Sequence, residues 1–395
     1  MDYYSNRALT FYLTDSFLGQ LISSSSYSID VFFLIGGFLM VHGLLKSKEL
    51  ADESNHSATR LTILYMKTIF KRFRRLTPTY MYMLGLTFTS TASNRSSVAK
   101  WTNERNDLQC PKYWWTNMLY INNIFPGTYS GMCMSWSYYL ASDMQFFMWI
   151  AFLFYLSKKY FKTAVTLLIG TFVGSLAALG ITTYVDDYKP FPDLFYIKAP
   201  LYYYPPWMRV GPYITGACYG YLYNALDGKL QMKKVTIWAL WVASLSIIAY
   251  LLVGFSDPDF PTYFSVLFSM FSRNLMALAT GWIIFACLTG HGGAANTMFS
   301  AKGWMPFSNL AYGAYLLNPV IVYLLMSNSD HTIQLGVNSV LLSGIGLVGL
   351  TFLCSIFLVI SVEYPLDKVM NIFFDRKPKK KILKCEEDLT QKKLE

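Results

Sequence analysis

The sequence predicts an all-α membrane protein, a polytopic bundle of about nine transmembrane helices. Two features of its composition favour this class: 54% of the 395 residues are hydrophobic and only 14% are charged. Soluble domains carry about 25% charged residues, so this balance is typical of a chain whose outer surface contacts lipid. The third observation is a series of apolar segments about 20 residues long, the length that crosses a bilayer core.

Nine segments have this length and character, and the second, rich in Thr and Ser, is the least apolar. They span residues 29–45, 76–92, 138–157, 163–184, 207–225, 235–254, 264–288, 305–326 and 336–361. We accordingly divide the chain into an N-terminal segment 1–28, a transmembrane domain 29–361 with a long outer loop at 93–137, and a basic tail 362–395.

The distribution of Lys and Arg predicts the orientation. With the N-terminus outside or lumenal, the cytoplasmic segments hold 24 of the 33 basic residues and the outer segments hold seven. The positive-inside rule favours this arrangement, which places the C-terminal tail in the cytoplasm. The net charge of +10 does not indicate nucleic-acid binding, because the cations lie in short loops and a tail rather than on one basic face. The expected location is the plasma membrane or the endoplasmic reticulum.

The predicted outer loop carries two cysteines and a glycosylation sequon. Cys110 and Cys133 lie on the oxidising side of the membrane, where such a pair can close into a disulfide. The sequence does not give the distance between them, on which pairing depends. Asn94 opens a sequon on the same side, so we expect it to be glycosylated, whereas the sequon at Asn55 falls on the cytoplasmic side and stays unmodified.

Four ionisable residues lie within predicted spans or at their starts. They are Asp30, Asp143, Arg209 and Arg273. An Arg or Asp at a helix centre costs about 2.5 to 3.5 kcal/mol on insertion scales, and such residues usually face a bundle interior or a wet cavity. The deeper position of Asp143 and Arg273 favours a functional cavity, whereas Asp30 and Arg209 lie near the interfaces, where snorkelling or capping explains them equally well.

A basic cluster, FKRFRRLTP, leads into the second span. Its Arg72 and Arg75 are three residues apart and therefore share one helical face. Such a pair can bind a phosphate or diphosphate through bidentate, charge-assisted hydrogen bonds. A positive-inside anchor is the alternative, and the cluster taken alone favours it. The sequence has no metal-ligand cluster and no Gly-x-Ser-x-Gly nucleophile motif.

Six segments, taken together, carry a more specific signal. In chain order they are SIDVFFLIGGFL, FKRFRRLTPTYMYM, CPKYWWTNMLYINN, CMSWSYYLASDMQFF, WMRVGPYITGACYGYL and LAYGAYLLNPVIV. Their order and spacing resemble the acyltransferase 3 family, and within it the animal branch known as nose resistant to fluoxetine, over about residues 4–367. The resemblance implies a helix bundle that transfers acyl groups from a cytoplasmic donor, acyl-coenzyme A, to a hydroxyl acceptor such as a lipid.

The resemblance also matches individual residues to family motifs. Tyr139 and Gln145 flank Asp143 in one motif, Glu363 resembles an acidic residue at the end of the final span, and Cys110 and Cys133 match outer-loop cysteines. Acyl transfer requires a base, groups that stabilise an oxyanion and a basic site for the donor's phosphates. We therefore expect a catalytic set of Asp30, Asp143, Arg209 and Arg273, and a donor-binding pair of Arg72 and Arg75.

Two departures from the family pattern bear on this chemistry. Family members begin with a span of the type LDGLR…LGH, whose His is the proposed general base, but no His precedes Asp30 here. Asn318 also stands where many members have His. We expect an acyltransferase-type protein that lacks the N-terminal part, with acyl-coenzyme A as co-substrate and no bound cofactor. The alternatives are an inactive relative that acts in lipid or small-molecule uptake and an ion-coupled transporter.

Overall fold

A computed structural model describes residue 21 and residues 24–47, 57–93, 105–128, 131–188, 202–253, 261–327 and 336–374. Within these ranges every regular element is helical and there is no strand, as the composition predicts. The helices are α1 Ser26–Leu45, α2 Ala58–Ser93, α3 Asn106–Met118, α4 Tyr138–Ser157, α5 Phe161–Val185, α6 Val210–Ala225, α7 Lys234–Val253, α8 Thr262–Leu288, α9 Gly293–Phe299, α10 Trp304–Ser327, α11 Val337–Leu358 and α12 Tyr364–Phe374.

Seven helices of the described part are long and apolar enough to cross a membrane, so the chain is an integral membrane protein. They are α1, α4, α5, α7, α8, α10 and α11 with its continuation. The other two predicted spans lie on α2 and α6, which differ from a simple span in opposite ways. Helix α2 has 36 residues, about 54 Å, and its first half is rich in cations, whereas α6 has only 16 residues. The count of nine spans therefore stays a prediction.

Helices α1 and α6 make the most extensive contact among the described helices, and glycines allow their close approach. A Cβ added at Gly220 would lie 2.6 Å from the carbonyl oxygen of Phe38, and one added at Gly216 would collide with the carbonyl of Leu34. Gly37 approaches the backbone of Tyr213 in the same way. Small residues let helix backbones approach this closely inside a membrane. The contact fixes α1 against α6 and brings the starts of the two helices together.

Two apolar clusters share α2 and α4. The first combines residues of α1, α2, α4 and α6, with the buried rings of Phe33, Phe146 and Tyr213 among them. The second combines α2 and α4 with α10, with the end of α11 and with the segment that precedes α4. Helices α2 and α4 therefore link the two clusters and lie at the centre of the bundle.

The segment between α2 and α4 is held in place by a disulfide and by side-chain amides. Cys110 and Cys133 form the disulfide, which confirms the pairing expected from the sequence. Asn117 donates hydrogen bonds to the Tyr80 hydroxyl and to the Cys133 carbonyl, both at 2.8 Å. Gln145 of α4 donates to the Tyr120 carbonyl at 2.7 Å. The expected glycosylation site Asn94 and the second sequon at Asn55 lie outside the described residues.

Candidate functional site

The starts of α1 and α6 carry a buried ion pair between Asp30 and Arg209. The guanidinium Nη1 of Arg209 donates to Oδ1 of Asp30 at 2.9 Å, and each side chain is only 1% exposed. Arg209 also donates from Nε to the Tyr203 carbonyl at 3.1 Å, and its guanidinium lies 4.0 Å from the centroid of the Tyr203 ring. We call this the sealed pair, because its groups are satisfied by protein partners and shielded from solvent.

Arg273 lies beside the sealed pair and contacts the same backbone segment. It donates from Nη1 to the Met208 carbonyl at 3.0 Å and from Nη2 to the Tyr202 carbonyl at 3.1 Å. The structure thus brings three of the four expected catalytic residues into one cluster, with Asp30 on α1, Arg209 just before α6 and Arg273 on α8. Their hydrogen bonds join the segment 202–209 to α1 and α8, so the geometry of this cluster is that of a structural junction.

The fourth expected catalytic residue, Asp143, lies elsewhere, in an ion pair with Arg72. An Nη2 hydrogen of Arg72, on α2, is donated to Oδ2 of Asp143, on α4. The guanidinium also lies 4.2 Å from the centroid of the Phe147 ring. We call this the open pair, because the Arg72 side chain is 22% exposed and the Asp143 side chain is 10% exposed.

The open pair leaves one hydrogen-bond donor unused. Nε of Arg72 is buried and has no hydrogen-bond partner among the described residues. A buried donor without a partner costs about 1 to 3 kcal/mol, more when it belongs to a charged group. An uncompensated donor on a partly accessible guanidinium indicates a position where a ligand or an ordered water completes the site.

The walls of the open pair come from α1, α4 and α6. A Cβ added at Gly36 would lie 3.2 Å from Oδ1 of Asp143 and 3.3 Å from the Tyr213 ring, so glycine creates the space that the carboxylate occupies. The Tyr139 ring packs against Phe33, with 4.9 Å between the ring centroids. Tyr120 lies on the remaining side, where its hydroxyl and that of Thr77 are hydrogen-bonded at 3.0 Å and burial raises its pKa to about 12.

The second expected donor-binding residue, Arg75, is exposed one turn further along α2. It interacts electrostatically with Glu363, which lies in the π-helical turn between α11 and α12. Oε2 of Glu363 is buried and has no hydrogen-bond partner in the described part of the chain. The Tyr312 hydroxyl bonds to the Leu76 carbonyl at 2.9 Å and holds α10 against this part of α2. Arg72 and Arg75 therefore share a helical face but differ in accessibility.

No cluster of three metal-ligating side chains occurs in the described ranges. His42 lies at the end of α1, where its Nδ1 is 3.0 Å from the Asn224 amide and its ring stacks on Phe38. That position is part of the α1–α6 contact and not of the open pair. Asn318, on α10, is half-buried. Within the residues described, the carboxylate that reaches the open site is Asp143.

Sequence reasoning identified the charges but missed their neutral neighbours. Gly36 and Tyr213 shape the open site, and Phe147 stacks on Arg72. A signal for the first was present, because a Gly-Gly pair inside an apolar helix indicates a close approach of another chain segment. Tyr213 follows the Arg-Val-Gly-Pro sequence of a segment already singled out. In the sequence, Phe147 cannot be distinguished from the other aromatic residues of the core.

Comparisons with known proteins agree with this architecture. A family model described as an acyltransferase domain matches residues 4–360, which is most of the chain. The chain is 28% identical over 385 residues to a Caenorhabditis elegans protein named nose resistant to fluoxetine protein 6. That alignment covers 91% of this chain but only 46% of the relative, so the chain spans about half of that protein's length. No solved structure matches the chain.

The matched region contains both ion pairs, the disulfide and the helices that position them. The family match therefore covers the helices that carry both the open pair and the sealed pair. On the extent of the family match, the chain belongs to the acyltransferase 3 family.

Proposed function

We propose that the chain forms the membrane part of an acyltransferase that moves an acyl group from a coenzyme A-linked donor to a hydroxyl acceptor. The observation that carries this proposal is the open pair, an accessible arginine and a carboxylate inside a bundle of the acyltransferase 3 family. The acceptor class is a lipid or another hydroxylated molecule that reaches the bundle from the membrane. The coenzyme A donor is a co-substrate, and membrane lipids are the remaining partners.

The donor's phosphates are anionic, and α2 offers cations at a suitable place. Arg72 projects into the bundle and Arg75 is exposed beside it, so one diphosphate can contact both. Charge-assisted hydrogen bonds of this kind contribute about 1.5 to 3 kcal/mol each. The predicted orientation puts the start of α2 in the cytoplasm, where coenzyme A esters are available, and the N-terminus outside or in the lumen.

The transfer step needs a proton acceptor near the donor's thioester. The acceptor oxygen bonds to the thioester carbon, the carbon–sulfur bond breaks, and coenzyme A leaves with the electron pair of that bond. The hydroxyl proton passes to a base, for which Asp143 is the candidate with access to the open site. Asp30, Arg209 and Arg273 stay in the expected catalytic set, but their contacts with segment 202–209 favour a structural contribution.

Titration of the purified protein with a non-hydrolysable acyl-coenzyme A thioether tests the donor site. Arg72→Ala combined with Arg75→Ala should weaken binding at least tenfold, about 1.4 kcal/mol, because two phosphate contacts are lost. Lys71→Ala is the matched control, since Lys71 is an exposed cation on the same helix. Equal binding by the wild type and the double variant would remove the donor assignment.

A further inference from the structure

The Asp143 carboxylate accepts a hydrogen bond from the Arg72 guanidinium, as an oxygen of a bound phosphate would. A carboxylate and a phosphate both accept charge-assisted hydrogen bonds from the arginine fork. The carboxylate uses only Nη2 and leaves Nε buried and unsatisfied, so this cation is incompletely satisfied by its protein partner. The sealed pair provides the contrast, since Arg209 uses both Nη1 and Nε on protein acceptors.

We propose that Asp143 is a stand-in anion for the donor, so that donor phosphate displaces it from Arg72 and frees its carboxylate for the acceptor hydroxyl. The inference rests on the proposed function and adds an order of events to it. Donor binding comes first, and the carboxylate becomes available only when the thioester is already in place. Oδ1 of Asp143 already packs against Gly36, where an added Cβ would lie 3.2 Å from it, so no side chain holds the carboxylate on that side.

The exchange has a measurable thermodynamic consequence. When a protein carboxylate competes with the ligand for an arginine, only molecules in which the arginine is free can bind the ligand. The apparent affinity is then the intrinsic affinity multiplied by the fraction of such molecules. Removing the competitor therefore strengthens binding, although it removes an ion pair from the protein. A purely structural ion pair predicts the opposite, because its loss disorders Arg72.

The test is a titration of purified, full-length chain with the same acyl-coenzyme A thioether and with free coenzyme A. Asp143→Asn should bind both about tenfold more tightly than the wild type, because Arg72 no longer has an anionic partner. The double variant Arg72→Ala and Asp143→Asn should lose this gain. Asp107→Asn is the matched control, because it removes an aspartate from an Asp–Arg pair at the start of α3 that includes neither Arg72 nor Asp143, and it should leave binding unchanged.

Unchanged or weaker binding by Asp143→Asn, with a native melting temperature, would overturn the inference. Asp143→Ser gives the same comparison with a smaller side chain should the amide fail to fold. Donor binding that depends on Arg75 but not on Arg72 would leave the proposed function in place and still refute the exchange. If no variant binds either compound, the donor assignment and the exchange are both wrong.

Discussion

The two buried aspartate–arginine pairs differ in how completely the protein satisfies them. Asp30 and Arg209 are 1% exposed and have additional backbone and aromatic partners. Asp143 and Arg72 are 10% and 22% exposed, and one guanidinium nitrogen has no partner within the described part of the chain. The comparison teaches that a charge at membrane depth is not by itself a sign of chemistry. We infer that the unsatisfied donor, rather than the buried charge, makes the open pair the place to test for substrate binding.

A third pair completes the series at the exposed end. Arg105 and Asp107 lie at the start of α3, where Arg105 donates two hydrogen bonds of 2.9 Å to Asp107, but the side chains are 39% and 28% exposed. If burial determines how much each pair stabilises the fold, removing one side chain of the sealed pair should lower stability most. Removing one side chain of the Arg105–Asp107 pair should lower it least. Substitutions in the open pair should instead change the affinity for the donor.

The largest stability effect is expected from Arg209→Ala. The change leaves the Asp30 carboxylate buried without its cation, and breaking a buried pair in this way costs about 3 to 5 kcal/mol. Thermal unfolding in a mild detergent, followed by tryptophan fluorescence, measures the loss. Arg209→Met combined with Asp30→Leu should recover part of it, since an apolar pair of similar volume leaves no uncompensated charge. An unaltered melting temperature in Arg209→Ala would contradict the sealed-pair interpretation.

The disulfide is expected to have the next largest effect, and it tests whether the segment between α2 and α4 supports the open site. Cys110 and Cys133 are 23 residues apart, and a crosslink closing a loop of about this size contributes about 3 kcal/mol in the chain-entropy model. Replacing both with Ser should lower stability by that order. It should also weaken donor binding, because the segment contacts α4 through Gln145 and Tyr120, close to Asp143.

Cys287→Ser is the control for the loss of a sulfur atom, because Cys287 is a free cysteine on α8. A stability loss without any change in donor affinity would show that the segment between α2 and α4 does not support the open site. The comparison between the two buried pairs would then stand, but the disulfide would serve the fold alone.

The sequence predicted much of the fold because membrane helices have a strong one-dimensional signal. The predicted span 138–157 coincides with α4, since it is mostly apolar and begins just after a 3₁₀ turn. The predicted span 207–225 begins three residues early, because Pro205 and Pro206 favour a separate turn before α6. Helix α2 extends far beyond its apolar half, since Lys and Arg have good helix propensity and continue the helix.

The candidate site was less predictable than the fold. Asp30 and Arg209 were both identified as charges, but they are 179 residues apart and their pairing depends on the α1–α6 contact. Arg72 and Arg75 were correctly placed on one helix, yet the partner of Arg72 comes from α4 and could not be read from spacing along α2. Helical periodicity gives the face of a side chain, whereas its partner depends on the packing of other helices.

The smallest effect on stability is expected at the exposed pair of Arg105 and Asp107, and its dependence on pH gives the clearest test. The Arg105 guanidinium, by its hydrogen bonds and charge, lowers the pKa of Asp107 below its usual value of 3.8. A carboxyl with a lowered folded-state pKa stabilises the fold above its unfolded pKa, and this contribution is lost as the pH falls through the folded value. Asp107→Asn should therefore lower stability slightly at pH 6 and make no difference at the acid limit.

Screening by solvent keeps the size of this difference below about 1 kcal/mol, as for other exposed ion pairs. The measurement is the melting temperature of the wild type and Asp107→Asn between pH 6 and pH 3, at low and high salt. High salt should reduce the difference at pH 6, because the pair is accessible to ions. A difference as large as that of Arg209→Ala, or one that grows on acidification, would mean that burial does not order the three pairs.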